Sequence, residues 1–225
     1  MIVALDLATV GDARDLVTRL GNRVTYYKIG LELVMQGGLA FAKELKASGK
    51  NVFLDMKLLD IPNTVERAVA NAAAIGVDLL TIHGHDSKTL AAAAKGRTDS
   101  TLKLLAVTVL TSLDADDLAQ QGTTMSPTDL VLHRAKLAAE AGCDGAVSSG
   151  HEAGLIRSAT PKNFLIVTPG IRLPGSDTGD QSRVMTPDRA IAAGADYLVV
   201  GRPITAASDP AASAEHFVEL IGAAS

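Results

Sequence analysis

The chain has 225 residues, 47% of them hydrophobic, and a mean hydropathy of +0.21, which excludes a disordered polymer and allows a substantial core. A formal net charge of −4, a pI near 5.7, 3% aromatics and no Trp exclude a nucleic-acid platform, which needs a basic face and stacking rings. No apolar run reaches the ~18 residues that a membrane helix needs, so the expected partner is a small metabolite and not nucleic acid or membrane.

The first element is the strand "IVALDL" (2–7), inside an opening "MIVALDL" with neither the basic region nor the cleavage site of a signal peptide. "GDARDLVTRLG" (11–21) has helical spacing and precedes the strand "TYYKIG" (25–30). "LAFAKELKASG" (39–49) is a second helix, followed by the strand "NVFLDMKL" (51–58), the helix "ERAVANAAAIG" (66–76) and the strand "LLTIHG" (79–84). A fifth strand, "LLAVTVL" (104–110), leads to "SPTDLVLHRAKLAAEAG" (126–142), where Ser126 is a good N-cap and Pro127 a good first helical residue. Cys143 follows; as the one cysteine it can form no intramolecular disulfide, and the chain reads as cytoplasmic, with Cys143 a small buried packing residue. The strands "GAVSS" (145–149) and "FLIVTPGI" (164–171), the helix "PDRAIAAGA" (187–195) and the strand "DYLVVG" (196–201) complete the series. Glycine closing several of these helices suits a C-cap.

Strands that are apolar almost throughout, alternating with helices, indicate a parallel sheet covered on its outer face. Eight such units predict a (β/α)8 TIM barrel occupying residues 1–225 as one domain, with no linker or composition shift. The alternative, an open doubly wound sheet, lacks support: "LDLATVGDAR" after the first strand holds no G-x-G-x-x-G.

In a barrel the chemistry sits at the carboxyl ends of the strands, where the unusual residues of this sequence fall. Asp6, Lys28, Asp55, Lys57, His83, Thr111, Ser112, Arg172 and Arg202 all lie there. "FLDMKLLDIPNT" puts Asp55, Lys57 and Asp60 at i, i+2 and i+5 in a segment otherwise fit for burial. Alternation turns Asp55 and Lys57 to one face and Leu54, Met56 and Leu58 to the other, with Asp60 in the following loop before Pro62. A buried Asp55–Lys57 pair that only braces the barrel is the bland reading, and desolvation makes it a costly device. With Lys28 and Asp60 the set becomes an alternating Lys/Asp array. A metal is not expected, because each carboxylate has an ammonium group competing with a cation. His83 is expected to be a satisfied or supporting histidine, and His85 a loop residue. "TPGIR" and "VVGRPIT" read as a phosphate site, with Gly170 and Gly201 allowing close backbone approach and Arg202 gripping a dianion. "RLPGSDTGDQSR" (172–183) reads as a lid, on which Gln181 could bond to phosphate or to a base carbonyl.

"LDMKLLDIPNT" closely resembles the D-x-K-x-x-D-I-x-x-T signature of the orotidine 5′-monophosphate decarboxylase family. The likeness covers essentially the whole chain, through "ALD", "YKIG", "AVTVLTS", "VTPGIR", "GDQSR" and "VGRPIT" in the family's order. The resemblance implies a cofactor-free lyase in which Lys57 protonates C6 of the pyrimidine, Asp55 lies against the substrate carboxylate, and Lys28 bonds to the ribose and holds the charged array. It implies that Asp60 and Thr64 reach into the neighbouring subunit's site, so the active unit is a homodimer. Asp6 matches the family's ribose-binding aspartate, Thr111 and Ser112 the position reading the pyrimidine edge, and Arg172, Gln181, Gly201 and Arg202 the phosphate end. Two readings compete. One is a metal-dependent sugar-phosphate decarboxylase or epimerase, against which "DIPNT" and "TPGIR…GDQ" speak; the other is a non-catalytic nucleotide-binding barrel, which would be expected to have lost one of Lys28, Asp55, Lys57 or Asp60.

Overall fold

A computed structural model describes residues 1–97, 100–174 and 183–224. Eight parallel strands close into a barrel in sequential order: β1 (Ile2–Ala4), β2 (Tyr26–Gly30), β3 (Asn51–Leu58), β4 (Leu79–His83), β5 (Lys103–Val107), β6 (Gly145–Val147), β7 (Leu165–Thr168) and β8 (Tyr197–Val200). Helices α1 (Val10–Leu20), α2 (Leu31–Val34), α3 (Gly38–Ala47), α4 (Pro62–Ile75), α5 (Ser87–Gly96), α6 (Ala115–Gln120) and α7 (Pro127–Glu140) follow the first five strands. The remaining helices are α8 (Gly150–Ala159), α9 (Pro187–Ala192), α10 (Arg202–Thr205) and α11 (Pro210–Ala224). The barrel expected from the sequence is the one observed. None of these helices is long and apolar enough to cross a membrane.

Strand alternation sorts the core into two bodies. Ile2, Ala4, Phe53, Leu79, Leu105, Val167 and Val199 point inward and fill the barrel, with Tyr26 and Tyr197 meeting edge to face at 5.8 Å. Their alternates, including Val3, Ile29, Leu54, Leu80, Ala106 and Ile166, point outward under the helices. Several strands leave the ladder sooner than their apolar runs suggest; β1 stops at Ala4 and β5 at Val107. Beyond those points the chain turns over the barrel mouth, which frees Asp6, Thr111 and Ser112 from the sheet.

The helix ends follow local chemistry. Ser126 caps α7, its hydroxyl accepting from the Asp129 amide with Pro127 next in line. Asp114 and Asp117 form a reciprocal capping box on α6. At the amino-terminal face, "GVD", "GCD" and "GAD" repeat one device. Asp78, Asp144 and Asp196 stand just before β4, β6 and β8, and each accepts the backbone N–H of a residue in the preceding strand, Val52, Leu104 and Ile166. Each also holds one cation: Lys46 at 2.7 Å, Arg97, and Arg157 at 2.6 Å. These clasps tie neighbouring strands at the base. Cys143, beside the middle one, is buried as expected.

Candidate active site

At the carboxyl ends of the strands a cavity of about 510 Å³ opens above the inward-facing core, within the range of small-ligand sites. Ala4, Phe53, Val107, Val147 and Val199 form its apolar bottom. One wall carries Asp6, Lys28, Asp55 and Lys57, and the other carries Thr111, Ser112, Ser148, Gly170, Arg172, Gly201 and Arg202.

The charged wall is built by β1, β2 and β3. Lys28 pairs with Phe53 in the ladder and Gly30 with Asp55, which sets the two strands' polar side chains side by side. Lys57 Nζ lies 2.8 Å from Asp55 Oδ2, Lys28 Nζ lies 3.4 Å from the same oxygen, and Lys28 donates to Asp6 Oδ1 at 2.9 Å. Gly30 leaves room for this: a Cβ there would come within 3.0 Å of Asp6 Oδ1 and 3.2 Å of Lys28 Nζ. Burial would raise the Asp55 carboxyl, but Lys28, Lys57 and the hydrogen bonds from Lys57 and Thr81 outweigh it and hold the group below the usual carboxylate range. Burial likewise pulls Lys28 down, and Asp55 and Asp6 more than restore it, so its ammonium is held above the ordinary lysine value. The four charges run minus, plus, minus, plus along the wall.

The fourth charge is not the one the sequence spacing suggests. Asp60 is exposed, outside the cavity lining, and without an ion-pair partner among the described residues; its Oδ1 accepts the Ile61 amide at 2.6 Å. The chain turns away after Leu58 to enter α4 at Pro62, and Thr64 on that helix is also exposed. Within one chain, Asp6 completes the alternating set.

The end of β3 is irregular. Its register against β4 shifts between Leu54 and Leu58, and Lys57 has φ +49°, the one positive φ at a non-glycine among the described residues. That conformation costs an L-residue roughly 1–2 kcal/mol. Met56 and Leu58 still pack outward against the helices, so the expected facing survives the break. Thr81 of β4, fully buried, bridges it: its hydroxyl accepts the Lys57 backbone N–H at 2.9 Å and donates to Asp55 Oδ1 at 2.8 Å. Nothing in "LLTIHG" marks this threonine, because a β-branched residue is ordinary in a strand.

Of the two roles expected of His83, satisfied or supporting, the structure does not show the first. Its buried Nδ1 has no hydrogen-bond partner among the described residues, and its ring stacks on His85 at 4.7 Å. Burial first, then His85, Arg134 and Lys57, push its pKa down to about 4, so the ring is neutral at pH 7. Among the described residues no three His, Cys, Asp or Glu side chains group so as to hold a metal ion.

On the opposite wall Arg172 is buried, its Nη1 donating to the Ile171 carbonyl at 2.9 Å. Its backbone exchanges with the far stem of the same loop: Arg172 N–H to the Met185 carbonyl, and Met185 N–H to the Gly170 carbonyl. Arg183 on that stem pairs with the buried Glu152 of α8. Gly170 needs its freedom, with φ +74°. Arg202 opens the short α10 directly after Gly201, and its side chain is exposed at the cavity edge. Gln181 and most of the expected lid lie outside the described residues.

Comparison with known proteins bears on what this wall-to-wall arrangement serves. The model of the orotidine 5′-phosphate decarboxylase / HUMPS family matches residues 1–217. The chain belongs to that family. An orotidine 5′-phosphate decarboxylase of Bradyrhizobium sp. (strain ORS 278) is 53% identical over 224 residues, covering 100% of this chain and 92% of that protein. A namesake from Caulobacter vibrioides is 53% identical over 214 residues, covering 93% and 91%. The crystal structure of orotidine 5′-phosphate decarboxylase from Lactobacillus acidophilus superposes with a TM-score of 0.87 at 36% identity, over 98% of each chain. Membership in the decarboxylase / HUMPS family bears out the likeness read from "LDMKLLDIPNT" and the motifs after it.

Proposed function

We propose that this protein decarboxylates orotidine 5′-monophosphate to uridine 5′-monophosphate in cytoplasmic pyrimidine biosynthesis, without metal or cofactor, as a homodimer of one-domain subunits. The observation that carries the reading is the alternating Asp6–Lys28–Asp55–Lys57 wall facing Arg172 and Arg202 across one cavity. The bond that breaks joins C6 of the pyrimidine to its carboxylate. It leaves an electron pair in an sp² orbital at C6 that no neighbouring carbonyl can delocalise. Preplaced charge must then lower the barrier. The Lys57 ammonium offsets the developing negative charge and gives C6 its proton as CO2 departs; solvent later reprotonates the amine. Asp55, kept ionised by two lysines, stands against the substrate carboxylate and favours its loss. Lys28 and Asp6 hold the ribose, and the hydroxyls of Thr111 and Ser112 read the pyrimidine edge.

The phosphate end works remotely. Arg172, Arg202, Gly201 and Gln181 bind the dianion, and that binding energy is realised at the ring. Exposed Asp60 and Thr64 supply the neighbouring subunit. The same loop exposes Leu59 and Ile61, and the elements after adjacent β2 expose Leu31, Met35 and Leu39, an apolar surface suited to burial against a second copy.

The sugar-phosphate alternative would route its reaction through a divalent ion. Turnover of orotidine monophosphate with excess EDTA separates the two: retained activity is expected here, and absence of activity with or without Mg²⁺ would remove the assignment. Mixing inactive Lys57→Ala with inactive Asp60→Asn subunits tests the shared site, since a heterodimer regains one intact site only if Asp60 acts across the interface.

A further inference from the structure

Given the decarboxylase reading above, the break in β3 bears on how Lys57 is placed. Regular alternation would leave the Lys57 side chain free to swing with its strand, yet the register against β4 slips between Leu54 and Leu58 and Lys57 sits in the left-handed region. At such a break the Lys57 amide needs an acceptor that the ladder no longer provides. One buried hydroxyl supplies it. Thr81 Oγ1 accepts that N–H at 2.9 Å while its proton goes to Asp55 Oδ1 at 2.8 Å. A hydroxyl has one donor and two acceptor positions, so this single atom serves both partners at once.

We propose that Thr81 is a positioning residue for the decarboxylation: it fixes the Lys57 backbone and the Asp55 carboxylate relative to each other, and so sets where the Lys57 ammonium stands. The two bonds act in one direction. Pinning the Lys57 amide holds the left-handed turn that brings Nζ back to Asp55 Oδ2 at 2.8 Å. Donation to Oδ1 turns the carboxylate so that Oδ2 faces both ammonium groups. Asp55 is faced by Lys28 from β2, Lys57 from β3 and Thr81 from β4, with Asp6 acting through Lys28 and His83 lying further along β4. Every group but Thr81 in that shell is ionisable, which makes the hydroxyl the one contact whose loss leaves the local charges unchanged.

This places a requirement at a position that touches no substrate. Valine at 81 keeps the shape and deletes both bonds; serine keeps both bonds and deletes a methyl group. Kinetics of orotidine monophosphate turnover by the wild type, Thr81→Val and Thr81→Ser across pH 4 to 9 therefore test the idea. The wild type must first turn over; if it does not, the decarboxylase reading fails and not this one. Given wild-type turnover, Thr81→Val should lose about 10- to 100-fold in kcat, with KM changed less than about threefold. The wild-type Asp55 limb lies below the ordinary carboxylate value, at the acid edge of this window, and in Thr81→Val it should move to higher pH, since Asp55 loses a donor that favours its ionised form. Thr81→Ser should recover to within about threefold of the wild type, with the wild-type limb. If valine does not fold, Thr81→Ala deletes the same hydroxyl without strain and carries the same expectations. Wild-type kcat and pH limb in the folded hydroxyl-free variant would overturn the proposal, and so would a serine variant as slow as the valine one.

Discussion

The two faces of the barrel both use aspartates paired with cations, and they use them differently. At the base, Asp78, Asp144 and Asp196 each take a backbone N–H and a single Lys or Arg, partly buried and outside the lining of the cavity at the barrel mouth. At the mouth, Asp55 is buried, takes no backbone N–H among the described residues, and is flanked by two lysines and a hydroxyl. A pair that satisfies a ladder end stitches strands together. A carboxylate with two ammonium neighbours facing a 510 Å³ cavity carries more charge than bracing requires. The setting of an ion pair, and not its existence, separates support from chemistry.

That contrast can be broken by mutation, beginning at the mouth. Lys57→Ala should cost at least about 10³-fold in kcat, because it removes both the proposed proton donor and its charge, while leaving a folded protein that still binds a product nucleotide. Near-normal turnover in steady-state assays would remove Lys57 from the mechanism. At the base the pattern should invert: Asp144→Ala leaves the Leu104 amide without its acceptor and Arg97 with its bond to the Gly142 carbonyl but no carboxylate, and should cost about 2 kcal/mol in urea unfolding. Its kcat should stay within about threefold of the wild type, and a large kinetic loss there would erase the division between faces.

Two titratable groups near the mouth respond to acid differently. Asp55 is held below its ordinary 3.8, so its contribution to stability is fully present above that value and is lost only as pH falls through the lower folded value. Activity that depends on its charge should therefore persist to the acid limit of folding, and an Asp55-dependent loss of turnover near neutrality would contradict this. His83 acts in the opposite sense. Its folded value of about 4 lies below the ordinary 6.5, so the unfolded chain takes up the proton first and stability falls as pH drops from 6.5 toward 4. Replacement by Gln should flatten that slope modestly in denaturation midpoints measured at several pH values. An unchanged slope would assign the acid sensitivity elsewhere.

The barrel was legible because its strands are short apolar runs at even spacing, and a doubly covered parallel strand has few other ways to look. The charged wall was legible because Asp55, Lys57 and Lys28 interrupt such runs. Thr81 was not, since its value lies in two hydrogen bonds across a register break that no spacing announces. Asp6 replaced Asp60 as the fourth charge within the chain because the turn at Pro62 carries Asp60 outward, a matter of three-dimensional path and not of interval. The base clasps were written three times, as "GVD", "GCD" and "GAD", but their glycines read first as helix caps.

Cys143 gives the middle clasp a built-in sensor. It is the one cysteine of the chain, it adjoins Asp144, and burial, with Asp144, pushes its thiol up to about 12, so the nucleophilic thiolate is scarce while the barrel stays closed. An alkylating reagent should then modify the protein only during transient openings of the amino-terminal face. Labelling rates would time the breathing of that face directly, with no engineered probe and no disturbance at the catalytic rim.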